Sequence, residues 1–482
     1  MAKIPQEVLD QCPPIVGLEL SNRGKVRDTY EVPGQDGFIL PLATDRISIF
    51  DFLLRALVSQ KGQVLNAMNI FWRWCVFGEM FAHDLVACGA GIDEYLPESL
   101  RGNPELQKRA TIVRRLAMLP IEAVVRGYLT GSGWEAYQET GIVCGHRLPL
   151  GLQNGSELPC SIFTPTTKAT VGHDLHVTAD SVAERYGASF ERRALQMYEL
   201  ARRFALARGI ILVDTKFEGG LDAVGDEVLT PDSSRFWECT AWLVAQAKGK
   251  VPPAYDKQFV REWGLTKGIN KRQPEVDQDV EYVHSLDVPK AVLEQTKLIY
   301  RYIFWRLTGL KLEAFQRQEM GIDVANPVVN VDVVLGSRSD LDQVSPAIQF
   351  LKTAAGQVRV HVISCHRNPE VLRRYVMDLS DVNLIVAAAG KAAALPGVLK
   401  AWLNHFENPI PVIGVAMAGD DDSANNAACL SIEQLPGMPV ELDAQGSAYF
   451  GPAGMMDACN AAFSNEFLPR PIATKPAEFD IV

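Results

Sequence analysis

The alternation of apolar and polar residues is most informative around one strand in the first half of the chain. The run 210–213 is β-branched and aliphatic and too short for a helix, which predicts a buried strand. Polar residues then alternate at Asp214, Lys216 and Glu218, so these side chains are expected on one face of the sheet. Two glycines, residues 219 and 220, are expected to end this strand.

A second strand is predicted at residues 227–229, returning beside the first as a hairpin. This hairpin would set Asp226 near Glu218. Two carboxylates beside Lys216 suit a magnesium ion that carries nucleotide phosphates, because magnesium prefers oxygen ligands and takes only one or two from protein. The same spacing also fits a solvated sheet face on which Lys216 pairs with Glu218.

The stretch SNRGKVRDTYE, residues 21–31, predicts a strand, a turn and a second strand. Gly24 in the turn would let the backbone approach a ligand, and Lys25 could reach a phosphate. A surface turn with a solvated lysine is the alternative.

Two further stretches place polar side chains beside glycines or turns. PIEAVVRGYLTGSGW begins as a strand and becomes a glycine-rich loop holding Arg126 and Ser132, where an arginine could grip a carboxylate or phosphate. A merely flexible loop would use the same glycines. TPDSSRFW predicts a turn that projects Asp232 and Arg235.

Helical periodicity closes the first part of the chain. Pro289 lies near the predicted first turn and Gly309 stops the helix. Periodicity is lost over residues 310–328, so we place a linker at 316–328 between domains at 1–315 and 329–482.

The second part repeats a pattern of apolar strands followed by polar or glycine turns and helices. Strands are predicted at residues 329–335, 358–364, 384–387 and 411–415. This pattern predicts a doubly wound parallel sheet, in which ligands bind beyond the carboxyl ends of the strands.

The turn GSRSD after the first of these strands could cradle a phosphate on backbone N–H groups at a helix start. It comprises Gly336, Ser337, Ser339 and Asp340 together with an arginine, and Asp340 could accept a ribose hydroxyl. Helix capping is the alternative role for the same serines and aspartate.

The two later turns carry an acid/base group and further cations. SCHRNP holds Ser364, His366 and Arg367, so an imidazole that can transfer protons lies beside a guanidinium that can bind an anion, just before a helix. AAAGKAAALPG holds Lys391. A surface histidine is the alternative for His366.

Composition narrows the class of protein. A chain of 482 residues is too long for one core, and 47% hydrophobic and 22% charged residues are typical of globular proteins. A net charge of −11 argues against a nucleic-acid or anionic-membrane surface. Nine scattered cysteines without CxxC spacing favour reduced thiols in the cytoplasm, and the N-terminus lacks a signal peptide's apolar core.

The first part resembles the phosphoribosylaminoimidazole-succinocarboxamide (SAICAR) synthetase family. Seven motifs occur in the family's order: GKVRDTY, TDRIS, VVRGYLTGS, FTPTTKA, DTKFE, DEVLTPDSSRFW and YDKQFVREW. The resemblance implies an α+β domain related to the ATP-grasp fold. It also implies an ATP-dependent ligase that phosphorylates a substrate carboxylate, which the amine of L-aspartate then attacks to form an amide.

The resemblance also implies roles for the residues singled out above. Gly24, Lys25 and Lys216 would bind ATP, and Glu218 and Asp226 would hold Mg²⁺. Lys216 and Asp214 would be catalytic. The carboxylated nucleotide (CAIR) and aspartate would contact Arg126, Ser132, Asp232 and Arg235. Thr170 departs from the family pattern, because many members carry Glu there.

The three turns of the second part resemble the phosphoribosylaminoimidazole (AIR) carboxylase family, which implies a three-layer α/β domain. The implied reaction adds a carboxyl group to a ring carbon of AIR without metal or biotin, with His366 as the proton shuttle. Gly336, Ser337, Ser339, Asp340, Ser364, Arg367 and Lys391 would bind the nucleotide. Lys391 and Ala394 replace Gly and His of the bacterial branch, which favours direct use of CO2.

Together the resemblances imply a bifunctional enzyme of purine biosynthesis, cytoplasmic, using ATP and Mg²⁺ but no biotin. AIR, CAIR, CO2 and L-aspartate would be its small-molecule partners, without nucleic acid or membrane. It is expected to be a homo-oligomer, an octamer. Two alternatives remain open: a ligase with a catalytically silent C-terminal oligomerisation module, and a ligase with a different acceptor amine.

Overall fold

The computed structural model describes residues 3–168, 175–435 and 439–468. Contacts divide the chain into two compact units, Met1–Ala325 and Asn326–Val482. Within those described ranges, no helix is long and apolar enough to cross a membrane.

The first unit combines antiparallel sheets with helices. Its strands are β1 (Leu20–Arg23), β2 (Arg27–Glu31), β3 (Phe38–Ala43), β4 (Arg46–Ile49), β5 (Phe52–Leu57), β6 (Leu85–Cys88), β7 (Thr111–Arg114), β8 (Ile121–Tyr128), β9 (Ile142–Val143), β10 (His146–Arg147), β11 (Glu157–Phe163), β12 (Thr166–Thr167), β13 (Ile210–Gly219), β14 (Val224–Gly225) and β15 (Ser234–Glu238). Its α-helices are α1 (Gln6–Gln11), α2 (Lys61–Ile70), α3 (Pro104–Arg109), α4 (Ser132–Thr140), α5 (Ala179–Tyr186), α6 (Ala188–Leu206), α7 (Cys239–Gln246), α8 (Gln258–Thr266), α9 (Asp277–Ser285), α10 (Lys290–Thr308) and α11 (Leu312–Gln318). A π-helix, Phe71–Phe77, continues α2.

Two sheets frame the first unit. One has the strand order β1-β2-β3-β7-β6, and the other has β11-β8-β13-β14 with β12 beside β8 and β15 beside β13. The predicted strand–turn–strand around Gly24 is confirmed, because β1 and β2 pair across that turn. The central predicted strand is confirmed as β13, which is buried between β8 and β15.

The predicted helix after Pro289 is confirmed as α10. Pro289 is its N-cap, and Gly309 ends it in the left-handed conformation at φ 77°. Ile299, Ile303 and Leu307 are buried on one face, as the periodicity indicates.

Two details of the prediction for the first unit are wrong. The hairpin strand that returns to β13 is Val224–Gly225, and 227–229 is irregular. Arg126 lies within β8 instead of in the glycine-rich loop. The boundary between the two units, after Ala325, lies inside the segment 316–328 that is predicted as a linker, and α11 extends to Gln318 at the start of that segment.

The second unit is a parallel sheet with helices between its strands. Its strands are β16 (Val331–Leu335), β17 (Val358–Val362), β18 (Leu384–Ala389), β19 (Val412–Ala416) and β20 (Tyr449–Phe450). Its helices are α12 (Leu341–Ala354), α13 (Pro369–Met377), α14 (Leu395–His405), α15 (Asp422–Glu433) and α16 (Gly451–Ser464).

The strand order of this sheet is β17-β16-β18-β19-β20, and every neighbouring pair is parallel. The four predicted strands are confirmed within a few residues at their ends, while β20 was not predicted. One core cluster packs α13, α14 and α15 on the sheet, and a separate cluster packs α12 and α16 on it. The predicted turns at Gly336, Ser364 and Lys391 therefore follow the carboxyl ends of β16, β17 and β18.

Candidate functional site

A cleft of about 560 Å³ lies between the two main sheets of the first unit. Its lining includes six of the residues predicted for the site: Gly24, Lys25, Lys216, Glu218, Asp226 and Asp232. An apolar part is formed by Ile39, Leu65, Val113, Leu116 and Met118. The cleft therefore offers both an apolar wall and a charged end.

The charges that line the cleft are balanced among the described residues. The basic residues are Lys25, Arg27, Arg73, Arg114, Lys168, Lys216 and Lys257. The acidic residues are Asp51, Asp84, Glu122, Glu218, Asp226, Glu227 and Asp232. Most of these groups form ion pairs with one another, as the following contacts describe.

Glu218 is the centre of one ion-pair cluster, which we call the Glu218 cluster. In the register of β13 with β8, Lys216 lies opposite Val124, two residues from Glu122 on the same face. Lys216 contacts both Glu122 and Glu218, the latter at 2.9 Å from Nζ to Oε1. Lys168 contacts the other oxygen of Glu218. Glu218 is only 6% exposed. The predicted Lys216–Glu218 pair thus exists, but the sheet face is buried instead of solvated.

The lysines of this cluster keep their charge. Burial alone would lower the pKa of Lys216, but Glu218 and Glu122 raise it above its ordinary value. The pKa of Lys168 is also raised, because the attraction of Glu218 outweighs the effect of burial. Two ammonium groups therefore flank one buried carboxylate.

Asp226 lies next to Gly225, the pairing partner of Glu218, so the β13–β14 register brings Asp226 near Glu218, as predicted. Its side chain forms an ion pair with Arg27, which also contacts Glu227 at 3.2 Å. Burial would raise the pKa of Asp226, but Arg27 lowers it below the usual value. Asp226 is therefore an ionised carboxylate facing the cleft.

Lys25 and Gly24 form the turn at the cleft edge. The Lys25 ammonium contacts Asp51 at 2.7 Å, and the two side chains are partly exposed. The buried Arg46 donates hydrogen bonds to the carbonyl oxygens of Lys25 and Gly24, at 3.0 and 3.1 Å. It also pairs with Asp28, so the turn is held from beneath.

Arg126, Asp214 and Arg235 form a second cluster on the same sheet, outside the lining of the cleft. Register places Asp214 opposite Arg126 on β8 and opposite Arg235 on β15. Arg126 Nη1 donates to Asp214 at 2.8 Å and Nη2 donates to Ser132 Oγ at 3.1 Å. Gly131, at φ 55°, packs against the Arg235 guanidinium, where a Cβ would lie 3.2 Å away. The glycine loop thus permits close packing of the arginines.

Asp232 does not join these arginines. It pairs with the buried Lys61 at 2.7 Å and accepts a hydrogen bond from the Tyr300 hydroxyl at 2.5 Å. Burial would raise the pKa of Asp232, but Lys61 and Lys257 hold it below the usual value. Its predicted contact with a substrate stays a prediction, and its observed contacts link the PDSSR turn to α2 and α10.

Sequence reasoning did not assign several residues that line the cleft, notably Arg27, Arg73 and Lys257. Burial lowers the pKa of Lys257 to about 8, although Asp232 counters part of that effect. The motif YDKQFVREW was the available signal for Lys257. Thr170, in the segment where the sequence departs from the family pattern, lies outside the described residues.

In the second unit, the GSRSD turn is a helix cap. Ser337 Oγ accepts from Ser339 N at 3.3 Å, and Ser337 N donates to Asp340 Oδ2 at 3.1 Å. Burial raises the pKa of Asp340. The capping alternative is therefore correct, and the same residues still lie at the carboxyl end of β16.

The three predicted turns of the second unit meet at one sheet edge. Arg367 Nη2 donates to the Gly336 carbonyl at 3.2 Å, and its backbone N–H donates to Ser364 Oγ at 3.3 Å. His366 beside it is exposed. Lys391 is exposed and has φ 57°, a conformation that favours glycine. Lys391 therefore has a strained backbone conformation, and it lies just beyond the carboxyl end of β18.

The described residues contain no group of three or more His, Cys, Asp or Glu that could hold a metal ion. The predicted pair Glu218 and Asp226 nevertheless fits Mg²⁺, since this ion usually takes one or two carboxylates and completes its shell with phosphate oxygens and water. Both carboxylates line the cleft together with the cationic side chains of Lys168, Lys216 and Arg27.

Comparison with known proteins identifies both parts of the chain. The family model for SAICAR synthetase matches residues 20–276, and the model for AIR carboxylase matches residues 330–464. A phosphoribosylaminoimidazole-succinocarboxamide synthase from Thioalkalivibrio sulfidiphilus is 43% identical over 305 residues, which cover 61% of this chain and 96% of the relative. The same-named protein of Methylobacillus flagellatus is 42% identical over 309 residues, which cover 61% of this chain and 96% of the relative.

A solved structure is similar to the first part of the chain. The SAICAR synthase of Saccharomyces cerevisiae, complexed with SAICAR, is 35% identical with a TM-score of 0.52. The match covers 62% of this chain and 97% of the yeast protein.

Proposed function

Because this chain belongs to the SAICAR synthetase family and carries an AIR carboxylase domain behind it, we propose that it makes CAIR from AIR and CO2 and ligates CAIR to L-aspartate with ATP and Mg²⁺. The presence of both domains in one chain favours this bifunctional enzyme over a ligase with a silent module. The observation that carries the ligase half is the cleft with the Glu218 cluster.

In the ligase half, the apolar wall of the cleft takes the nucleobase and the charged end takes the phosphates of ATP. Lys25, Lys216 and Lys168 offset phosphate charge, and Glu218 with Asp226 would hold Mg²⁺. When bound, the metal supplies positive charge to the transferring phosphoryl group. This arrangement is consistent with an ATP-grasp relationship of the first unit.

The arginine cluster binds the anionic CAIR. Arg126 and Arg235 present guanidinium groups that match phosphate or carboxylate in two-point contacts. Asp214 contacts both arginines, at 2.8 and 3.7 Å, so we assign it the role of orienting them. Ser132 adds a hydroxyl at the start of α4. The yeast relative, which holds SAICAR, supports a nucleotide product for this family.

In the carboxylase half, the nucleotide lies at the sheet edge formed by the three turns. Gly336, Ser337, Ser339 and Asp340 hold its phosphate and ribose, with Ser364, Arg367 and Lys391. The ring carbon of AIR forms a bond to CO2 and loses its proton to His366, which needs neither biotin nor metal. We further propose a doubly wound three-layer domain, an octamer and a cytoplasmic location.

The test is an assay of both half-reactions with the purified full chain. With AIR and CO2 but no ATP we expect CAIR, and with CAIR, ATP, Mg²⁺ and L-aspartate we expect SAICAR. Ligation without carboxylation would support the silent module. Phosphate release with an amine other than L-aspartate would support a different acceptor.

Lys257 is expected to set an alkaline limit on ligation. Its ammonium adds positive charge to the cleft below its pKa of about 8, and that charge is lost as the pH rises through this value. We expect the KM for ATP to rise above about pH 8, and Lys257→Arg to move the rise to higher pH because arginine stays protonated. An identical pH profile of KM in both proteins would assign the effect to another group.

A further inference from the structure

One helical segment lies against the loop that carries Asp226. This segment is α2 followed by the π-helix, from Lys61 to Phe77. The loop, residues 226–232, lies between β14 and β15 and contains Asp226 at one end and Asp232 at the other. Three side chains of the segment, Lys61, Asn69 and Arg73, contact it.

Asn69 holds the loop backbone at two points. Its Oδ1 accepts from the backbone N–H of Val228 at 3.0 Å, and its Nδ2 donates to the carbonyl oxygen of Asp226 at 3.3 Å. Both bonds go to backbone groups that have no strand partner, since residues 226–229 are irregular. The Asn69 amide therefore supplies the backbone hydrogen bonds that a neighbouring strand would otherwise provide.

Arg73 and Lys61, which lie on either side of Asn69 in the helical segment, also contact the loop. The buried Arg73 donates to Asp84 at 2.6 Å and also to the carbonyl oxygen of Asp226. The buried Lys61 pairs with Asp232 at 2.7 Å. The helical segment thus contacts both ends of the loop.

The loop requires such support because of its backbone conformation. Asp226 and Leu229 both have φ 54°, which is unfavourable for residues with a side chain. Such conformations persist where the surrounding contacts determine them. Without the Asn69 bonds, the loop between these two residues would be free to relax, and the Asp226 carboxylate would change direction.

We propose that Asn69, together with Arg73 and Lys61, positions loop 226–232 so that the Asp226 carboxylate faces a magnesium–nucleotide complex in the cleft. Asn69 also lines the cleft, and we assign it as a positioning residue because its two side-chain hydrogen bonds go to the loop backbone at Asp226 and Val228. This inference rests on the proposed function, in which Asp226 holds Mg²⁺.

The experiment measures metal binding without turnover. Mn²⁺ is titrated into the full chain in the presence of ADP and followed by electron paramagnetic resonance. We expect Asn69→Leu, which keeps the branched shape of the side chain but removes both hydrogen bonds, to raise the dissociation constant for Mn²⁺ about tenfold. Hydrogen exchange of the peptide spanning residues 225–231 should accelerate in the same variant.

Gln63→Leu is the matched control. Gln63 is a buried amide on the same helix whose side chain contacts Glu105 and Gln316, both at 3.3 Å. Its loss should lower thermal stability while leaving Mn²⁺ binding within about twofold of the wild type. Equal Mn²⁺ binding and equal exchange in Asn69→Leu and the control would overturn the inference alone.

Two further outcomes complete the test. A wild-type chain that binds no Mn²⁺ with ADP would overturn the proposed function and this inference with it. If Asn69→Leu does not fold, Arg73→Lys takes its place, because lysine can keep the pair with Asp84 while losing the fork that also reaches Asp226. Unchanged Mn²⁺ binding in Arg73→Lys would then contradict the proposal.

Discussion

Glu218→Gln is expected to lower kcat/KM for ligation of CAIR to L-aspartate about a thousandfold, the scale of losing one preorganised charge in an active site. Glutamine keeps the shape of the side chain but removes the negative charge that lies between Lys168 and Lys216. It would also remove the first proposed carboxylate for Mg²⁺. The measurement is SAICAR formation as a function of Mg²⁺ concentration.

The same variant should leave carboxylation of AIR unchanged, because its proposed site is built entirely from the second unit. Glu313→Gln is the control, since Glu313 is another partly buried carboxylate in an ion pair, with Arg301 at 2.7 Å, and lies outside the cleft lining. Normal ligation with a normal Mg²⁺ requirement in Glu218→Gln would remove Glu218 from the mechanism. An equal loss of both activities in folded protein would refute two separate sites.

The second large effect is expected from His366→Ala, which should reduce CAIR formation from AIR about a thousandfold. His366 is the proposed acceptor of the ring proton, and alanine offers no base at that place. The side chain is exposed at the sheet edge, so the substitution leaves no cavity in the core. Initial rates with CO2 and AIR, in the absence of ATP, measure this effect.

Ligation from supplied CAIR and the oligomeric state, followed by light scattering, should stay as in the wild type. His405→Ala is the matched control, because His405 is an exposed histidine of the same unit at the end of α14. Wild-type carboxylation in His366→Ala would remove His366 from the mechanism as the proton acceptor. A comparable loss in His405→Ala would point to general damage to this unit.

The local pattern of apolar and polar residues was sufficient to predict the strands and helices that carry the site. The face of β13 follows from a period of two, and α10 follows from its apolar spacing between Pro289 and Gly309. The parallel sheet of the second unit follows from repeated strands and turns. These features depend on residues that are neighbours in sequence.

The partners of the charged residues could not be predicted in this way. Arg27 and Asp226 are 199 positions apart, and nothing near either residue indicates the pair. The returning hairpin strand has two residues, and α11 has seven, so neither is long enough to show a period. In the sequence, nothing distinguishes Asn69 from the other polar residues of α2 until the loop that it contacts is known.

The balance of charge in the cleft has a consequence for the stability of the first unit. Unpaired cations gathered for phosphate would repel one another and destabilise the fold. In this cleft the carboxylates neutralise the cations in ion pairs, so the first unit can fold without a bound anion. Under the proposed function, a nucleotide that enters the cleft would exchange these internal ion pairs for its own, so its net affinity would be the difference between the two sets.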